Sequence, residues 1–244
     1  MNERKEANAL SSLTNCGVCG QPLVYATESV LSVCSFCGRE AHTLIYCPAG
    51  HYICDACHSK EALDILNQVL ATTGSANPSV VAEQVMAHPS VPMHGPEHHS
   101  IVPGAIVTAV RNAGYPVKEG CIEKTLERAR KVPGGWCGFY GDCGAAVGVG
   151  IAVSVLTGAT PLTGKERSLA MAATSFTLSR LLDDQPRCCK RATRVAVAAA
   201  VDFLRDHLGI ILPRAEKVRC IYVPLNPQCA REKCPFYDDP LKQS

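Results

Sequence analysis

The sequence predicts a mainly α fold. A small N-terminal zinc-ribbon-like module with short β-hairpins is followed by an all-helical bundle around a buried Gly/Ala-rich central helix. Three observations predict it. Of the fifteen cysteines in 244 residues, seven fall within residues 16–58, at the spacing of metal ligands. From residue 59 onward apolar residues recur with a helical period. An uncharged Gly/Ala/Val-rich stretch separates Asp142 from Lys165, which suits a helix packed on all sides. The chain divides accordingly into a cysteine-rich module at 1–58, a helical domain at 59–212 and a cysteine-containing tail at 213–244, packed on the helical domain.

Composition narrows the function classes. Hydrophobic residues make up 47% and aromatic ones 5%, so the core is built from close-packed aliphatic helices. A net charge of +2 provides no strong field toward nucleic acid or a membrane. The first residues, "MNERKEANALSSLTN", lack the apolar core of a signal peptide, so the expectation is a cytoplasmic protein. Thiols stay reduced in that compartment, and clustered cysteines then read as metal or redox groups rather than disulfides.

The N-terminal ligands come in four steps. Cys16-x2-Cys19 is followed after fourteen residues by Cys34-x2-Cys37, and after nine more by Cys47-x3-His51-x2-Cys54-x2-Cys57. A CxxC turn supplies two thiolates to one edge of a tetrahedron, and a second pair completes it. Gly20 and Gly38 follow the second cysteines, where a zinc knuckle turns sharply. One or two zinc ions are expected. The spacing allows sequential sites (Cys16, Cys19, Cys34, Cys37, then Cys47, His51, Cys54, Cys57) or an interleaved cross-brace. His42 and His58 are spare, with His58 an exposed residue at the next helix start. "LVYATESVLSV" has the β-branched content of a short hairpin. Residues 16–58 contain one Arg and no Lys, so no basic stripe meets phosphates, and nucleic acid is disfavoured as a partner.

The helical period then sets in. Ala62, Ile65, Leu66, Val69 and Leu70 line one face, ended by Gly74. Asn77 caps a second helix that begins at Pro78. A third runs from Val102 to the Gly114 and Pro116 breakers, after a loop, "MHGPEHHS", that holds His94, Glu97, His98 and His99. Ile122, Leu126 and Ala129 face inward on a fourth. Asp142 is read as the cap of the central helix, beginning at Cys143 and running toward Pro161, with Gly144, Gly148 and Gly150 letting neighbours approach. Its uncharged length raises a membrane span, but interrupting Gly, Thr and Pro residues argue for burial in a soluble bundle. Thr163 and Glu166 form a capping-box pattern for the next helix, whose Leu169, Ala173 and Phe176 face inward. In the last, Asp184 or Gln185 is the cap, Pro186 lies in the first turn, and Val197, Val201, Leu204 and Leu208 make the buried stripe up to Gly209.

Two cysteine pairs fall at helix starts: Cys137 and Cys143 before and in the first turn of the central helix, Cys188 and Cys189 in that of the last. A helix N-terminus lowers a thiol pKa and favours the reactive or ligating thiolate. Adjacent helical residues point about 100° apart, so only one of Cys188 and Cys189 faces a shared site. Arg187 and Lys190 either hold an anionic substrate or are merely exposed, and His98 in the histidine loop is the proton-transfer candidate. Cys121, alone on an amphipathic helix, reads as packing. In the tail, Cys220, Cys229 and the Cys234–Pro235 pair are reminiscent of iron–sulfur ligation. Three thiolates plus one from the body suit a [4Fe–4S] cluster, with a third zinc as the competitor.

The combination of "CGVCG", "CSFCG" and "GHYICDACH" with "GGWCGFYGDCGAA", "PRCCKR" and "NPQC…CPFY" resembles an uncharacterised cysteine-rich domain-of-unknown-function family of anaerobic archaea and bacteria, sometimes found beside methyltransferase-like domains. The resemblance implies an anaerobic, metal-dependent context and supplies no activity or catalytic residues. The glycine-rich stretch follows no β-strand of a parallel sheet, so it is not a nucleotide loop. The reading is therefore a cysteine-rich metalloprotein, an enzyme of sulfur or redox chemistry on a small anionic or sulfur-containing substrate. The alternative is a zinc-ribbon adaptor for a protein or RNA partner, and a third idea is a metal or metalloid sensor or carrier.

Overall fold

The computed structural model describes residues 16, 18–19, 21–54, 57, 60–216 and 218–237. The polar segment 1–15, Gly20 and His58 lie outside them. The fold is mainly α, with eight α-helices and one antiparallel hairpin among the described residues. The chain forms two compact units: Met1–Thr72 with Gln84–Val91, and Thr73–Glu83 with Pro92–Ser244.

In the first unit, β1 (Val24–Val33) pairs antiparallel with β2 (Glu40–Tyr46), from Val24 opposite Tyr46 to Val33 opposite Glu40. The segment expected to form a hairpin by itself is thus a single strand, and the hairpin closes over the Cys34–Cys37 knuckle. Its alternating Val, Tyr and Leu residues suit an extended strand, and the knuckle supplies the reversal: Gly38 has φ +70° and donates its N–H to Cys34 O at 2.9 Å. Helix α1 (Ala62–Thr72) buries Ala62, Ile65, Leu66, Val69 and Leu70, the face that the period predicts. Helix α2 (Pro78–Met86) belongs to the second unit up to Glu83 and to the first from Gln84, and it begins where Asn77 Oδ1 accepts from the N–H groups of Ser79 and Val80, at 3.0 and 3.4 Å.

In the second unit, α3 (Glu97–Asn112) starts five residues earlier than the sequence predicts, so Glu97, His98 and His99 belong to its first turn rather than to a loop. Pro96 and Pro103 do not prevent this: Pro96 precedes the helix, and Pro103, inside it, forgoes only the one bond its N–H would make to the His99 carbonyl. Helix α4 (Cys121–Ala129) buries Cys121, Leu126 and Ala129, whereas Ile122 is half-buried. A single turn, α5 (Trp136–Phe139), carries Cys137.

Helix α6 (Gly144–Thr157) is the predicted central helix and packs against α3, α4, α7 (Gly164–Leu178) and α8 (Cys189–Leu208). Its glycines are packing positions. A Cβ at Gly150 would lie 2.1 Å from Thr174 Oγ1 and 3.0 Å from Ala170 O, and one at Gly148 would lie 2.9 Å from Pro103 Cδ. No described helix is long and apolar enough to cross a membrane. The helix ends at Gly158, φ +73°, before Pro161.

Several expected caps are corrected. Cys143, not Asp142, is the cap residue of α6, and Asp142 Oδ1 is buried without a hydrogen-bond partner. Thr163 precedes α7, but its hydroxyl bonds back to Thr160 at 2.8 and 3.0 Å instead of closing a capping box. Leu169 and Phe176 of α7 are half-buried, and only its Ala173 and Thr177 are fully enclosed. Helix α8 is capped not by Asp184 or Gln185 but by Cys188, whose Sγ accepts from Arg191 N–H at 3.4 Å. Val197, Val201 and Leu204 are buried on α8, with Leu208 half-buried at its end.

Candidate functional site

The eight N-terminal ligands form two sets, and the sets interleave. Cys16, Cys19, Cys47 and His51 make one, Cys34, Cys37, Cys54 and Cys57 the other, each with all ligand atoms within 4.8 Å of one another. This is the cross-brace. Hairpin closure brings the Cys34 and Cys54 ends together, with Cys54 N–H donating to Cys34 Sγ at 3.4 Å and Ser35 N–H to Tyr52 O at 2.8 Å. The sulfur separations fit one ion per set. Cys19 and Cys47 are 3.5 Å apart and Cys37 and Cys54 3.7 Å. Sulfurs about 2.3 Å from a tetrahedral ion lie about 3.8 Å from each other.

Electrostatics within the sets is uneven. Burial opposes ionisation of Cys34, yet the N–H groups of Cys54, Phe36 and Cys37 bring it down to about 7. Burial likewise opposes ionisation of Cys47, but Ala49 N–H and His51 bring it to about 7. Cys19, Cys37 and Cys57 are pushed up, by burial first and by neighbouring thiols. A central divalent cation favours the thiolate at every position and so removes the unevenness.

Sequence reasoning missed the residues that hold this scaffold. His88, 2% exposed, accepts from Ser90 N–H at Nδ1 (3.1 Å), which leaves Nε2–H to donate to Cys57 O at 3.0 Å. Its ring meets the buried Phe36 edge-on, with centroids 4.6 Å apart. Gln84 donates to Ser35 O at 2.7 Å. Both lie far along the chain from the ligands they support, without any motif to signal them. His42 is exposed on β2, outside either set.

In the second unit a cleft of about 590 Å³ gathers Cys137, Cys143, Cys188, Cys189 and Arg187, all singled out by the sequence. Cys137 is exposed and the other three cysteines are half-buried. The expected thiol activation by helix starts is overturned. Burial pushes Cys143, Cys188 and Cys189 up, against the opposing N–H groups of Ala145, Arg191 and Gly95 respectively. Desolvation outweighs the helix terminus because these helices start inside the unit.

His98 is not in the cleft. It is 1% exposed, donates from Nδ1 to Gly95 O at 3.2 Å, and is held down to about 3 by burial and then by the Lys190 cation. Its ring is closed off from solvent. The histidines lining the cleft are His94 and His99. His99 Nδ1–H donates to Val132 O at 3.0 Å, so Nε2 carries the lone pair, and the ring lies 2.4–2.5 Å from where a Gly144 Cβ would be. Adjacent positions of one helix diverge by about 100°, and only packing decides which of the two imidazoles is sealed.

Lys190, expected either to bind an anion or to be exposed, does neither at a surface. It is 1% exposed with Nζ 4.6 Å from the Tyr222 ring centre, and burial pushes it down to about 8. Arg191 pairs with Asp183 at 2.8 Å, and Arg194 makes a bidentate pair with Glu83 at 2.6 and 2.8 Å.

The tail is a closed loop. Cys220 N–H donates to Phe236 O at 3.0 Å, and the Arg194 guanidinium lies over the Tyr222 and Phe236 rings at 5.6 and 5.4 Å. Cys220, Cys229 and Cys234 line a second, small cavity together with Cys188.

Helical bundle and paired four-ligand sets together define a cysteine-rich, metal-binding protein of mainly α fold. Residues 66–237 match the family model of DUF5714, a family of unknown function, and the chain belongs to that family. The match begins within α1, beyond the eight N-terminal ligands, and spans α2 to α8 and the tail cysteines. Comparison with curated proteins and with solved structures returns no match.

Proposed function

We propose that this protein is an enzyme of sulfur or redox chemistry acting in the second unit's cleft, with two structural zinc ions at the N-terminal sets. The observation that carries the reading is the convergence of Cys137, Cys143, Cys188 and Cys189 on one cleft with His99 and Arg187. Thiols raised by burial need a base. His99, its Nδ1 committed to Val132 O, offers a bare Nε2 to take a proton from a cleft thiol. Arg187 suits an anionic, sulfur-containing substrate. The tail cysteines Cys220, Cys229 and Cys234 would hold an iron–sulfur cluster, whose chemistry is one-electron transfer. In this reading residues 1–58 are the zinc-bound module, 59–212 carry the cleft and 213–244 close the cluster site, and the setting is cytoplasmic and anaerobic.

The test is mapped alkylation of anaerobically purified full-length protein, with iron, zinc and sulfide measured on the same sample. Cys143 and Cys189 are expected to react faster than Cys121, which is packed at the start of α4, and His99→Gln is expected to slow them. Equal inertness of all three removes the enzymatic reading.

A second reading has its own observation. On the β1–β2 hairpin Tyr25, Leu31, Val33 and Leu44 are 50–61% exposed, an apolar surface that suits an adaptor for a protein partner. A Leu31→Glu, Val33→Glu chain that keeps its metals but loses a partner recovered with the wild type would favour it.

A further inference from the structure

We infer that Cys188 is the fourth ligand of a closed, all-cysteine [4Fe–4S] site with Cys220, Cys229 and Cys234, and that Cys189 is left to the cleft. The inference rests on the proposed iron–sulfur reading of the tail and adds its missing ligand.

The ligand follows from position. Cys188 is the cap residue of α8, in extended conformation (φ −138°, ψ 105°), whereas Cys189 is the first helical residue. The break in backbone geometry between them sends the two side chains apart. Cys188 borders both the tail cavity and the cleft, while Cys189 borders the cleft. The tail loop presents its three cysteines to the same cavity. The tie between Cys220 and Phe236 brings the two ends of the loop together, and Cys234 N–H donates to Arg231 O at 2.7 Å.

The cavity is wider than a single four-sulfur ion site leaves. The four cysteines and their apolar neighbours, Tyr222, Val223 and Met93 among them, enclose a cavity of about 10 Å³, room for a water-sized sphere. Four sulfurs about 2.3 Å from a single zinc touch one another and leave no such room. The N-terminal sets show that contact spacing, with every ligand atom within 4.8 Å, and this set is not among the groups with that spacing. Four irons, each bound by one cysteine around a sulfide-bridged cube, need the wider tetrahedron.

Hydrogen bonds of the kind that tune such clusters are already in place. Arg191 N–H donates to Cys188 Sγ and Arg231 N–H to Cys229 Sγ, both at 3.4 Å. Arg231 does so from a left-handed conformation, φ +47°, one of two such non-glycine residues among those described. Closed coordination leaves no iron open to substrate, so the cluster exchanges single electrons, and the shared Cys188 puts it at the wall of the thiol cleft.

The experiment uses full-length protein, purified and reconstituted anaerobically with ferrous iron and sulfide. Wild type is expected to hold about four irons and four sulfides per chain beyond its zinc, with a paramagnetic signal on one-electron reduction. Cys188→Ala is expected to fall to about three irons or fewer with an altered signal, and Cys189→Ala to match wild type. In loaded wild type, Cys188 is expected to resist alkylation while Cys189 reacts, which tests the assignment without any variant. A wild type with no iron, or with a third zinc on these cysteines, overturns the cluster reading and this inference together. A wild type with a cluster that Cys188→Ala retains unchanged, or whose Cys188 alkylates as fast as Cys189, overturns this inference alone.

Discussion

Single residues in this protein are decided by what surrounds them. Gly144 exists because the His99 ring occupies the space of its Cβ, 2.4 Å away. Gly144→Ala is expected to cost about 1–3 kcal/mol and to displace the imidazole from the cleft, read as a lower urea midpoint and slower Cys143 alkylation. His98 makes the opposite case of a histidine withdrawn from solvent. Its ordinary value is 6.5 and its folded value about 3. Between the two, the unfolded chain binds a proton that the folded chain excludes. Stability is therefore lost as pH falls through that window, by up to about 1.4 kcal/mol per pH unit. His98→Asn keeps a donor for Gly95 O and does not titrate. Its urea midpoint is expected to fall less than that of wild type between about pH 7 and pH 5, and an equal fall would show that His98 is not the source.

At the scale of elements, starts and stops follow local chemistry where the backbone reaches solvent. Asn77 caps α2 as its type predicts, and Asn77→Ala is expected to cost about 1 kcal/mol, measurable as a reduced melting temperature. Gly158 and Gly209 end α6 and α8 in the left-handed conformation, φ +73° and +66°. The same local rules fail at Asp142, whose carboxyl oxygen is buried, at Thr163, whose hydroxyl bonds back to Thr160, and at Asp184, which is exposed and lies four residues before the Cys188 cap. At α8 the cap is a thiol, Cys188, in place of an ordinary oxygen cap. Helix α6 inverts the usual amphipathic design: buried residues lie all around it, and its glycines admit α3 and α7 rather than weakening it.

On the whole-molecule scale, long-range pairing determines the metal centres. Cys16 and Cys47 share one set although thirty residues separate them, and Cys34 shares the other with Cys54. The interleaving makes a discriminating prediction. A Cys16→Ser, Cys47→Ser double variant is expected to lose one of the two N-terminal metal ions, whereas Cys16→Ser, Cys34→Ser is expected to lose both, as counted by native mass spectrometry. Sequential pairing would reverse those outcomes. The second unit works by the same logic, since its tail cysteines meet a helix cap more than thirty residues upstream.

The mainly helical class, the central Gly/Ala helix, the faces of α1 and α8, and the eight N-terminal candidate ligands were legible in the order of residues. Each of these is written locally, in ligand spacing, in helical period or in uncharged length. Tertiary structure decided the cross-brace over sequential pairing, His99 over His98 in the cleft, the burial of Lys190, the raised cleft thiols and the meeting of Cys188 with the tail. These depend on which surfaces close over which side chains. Desolvation and long-range contact are properties of the packed chain, and residues such as His88 and Gln84 gain their roles only when folding brings them to backbone groups far away in sequence.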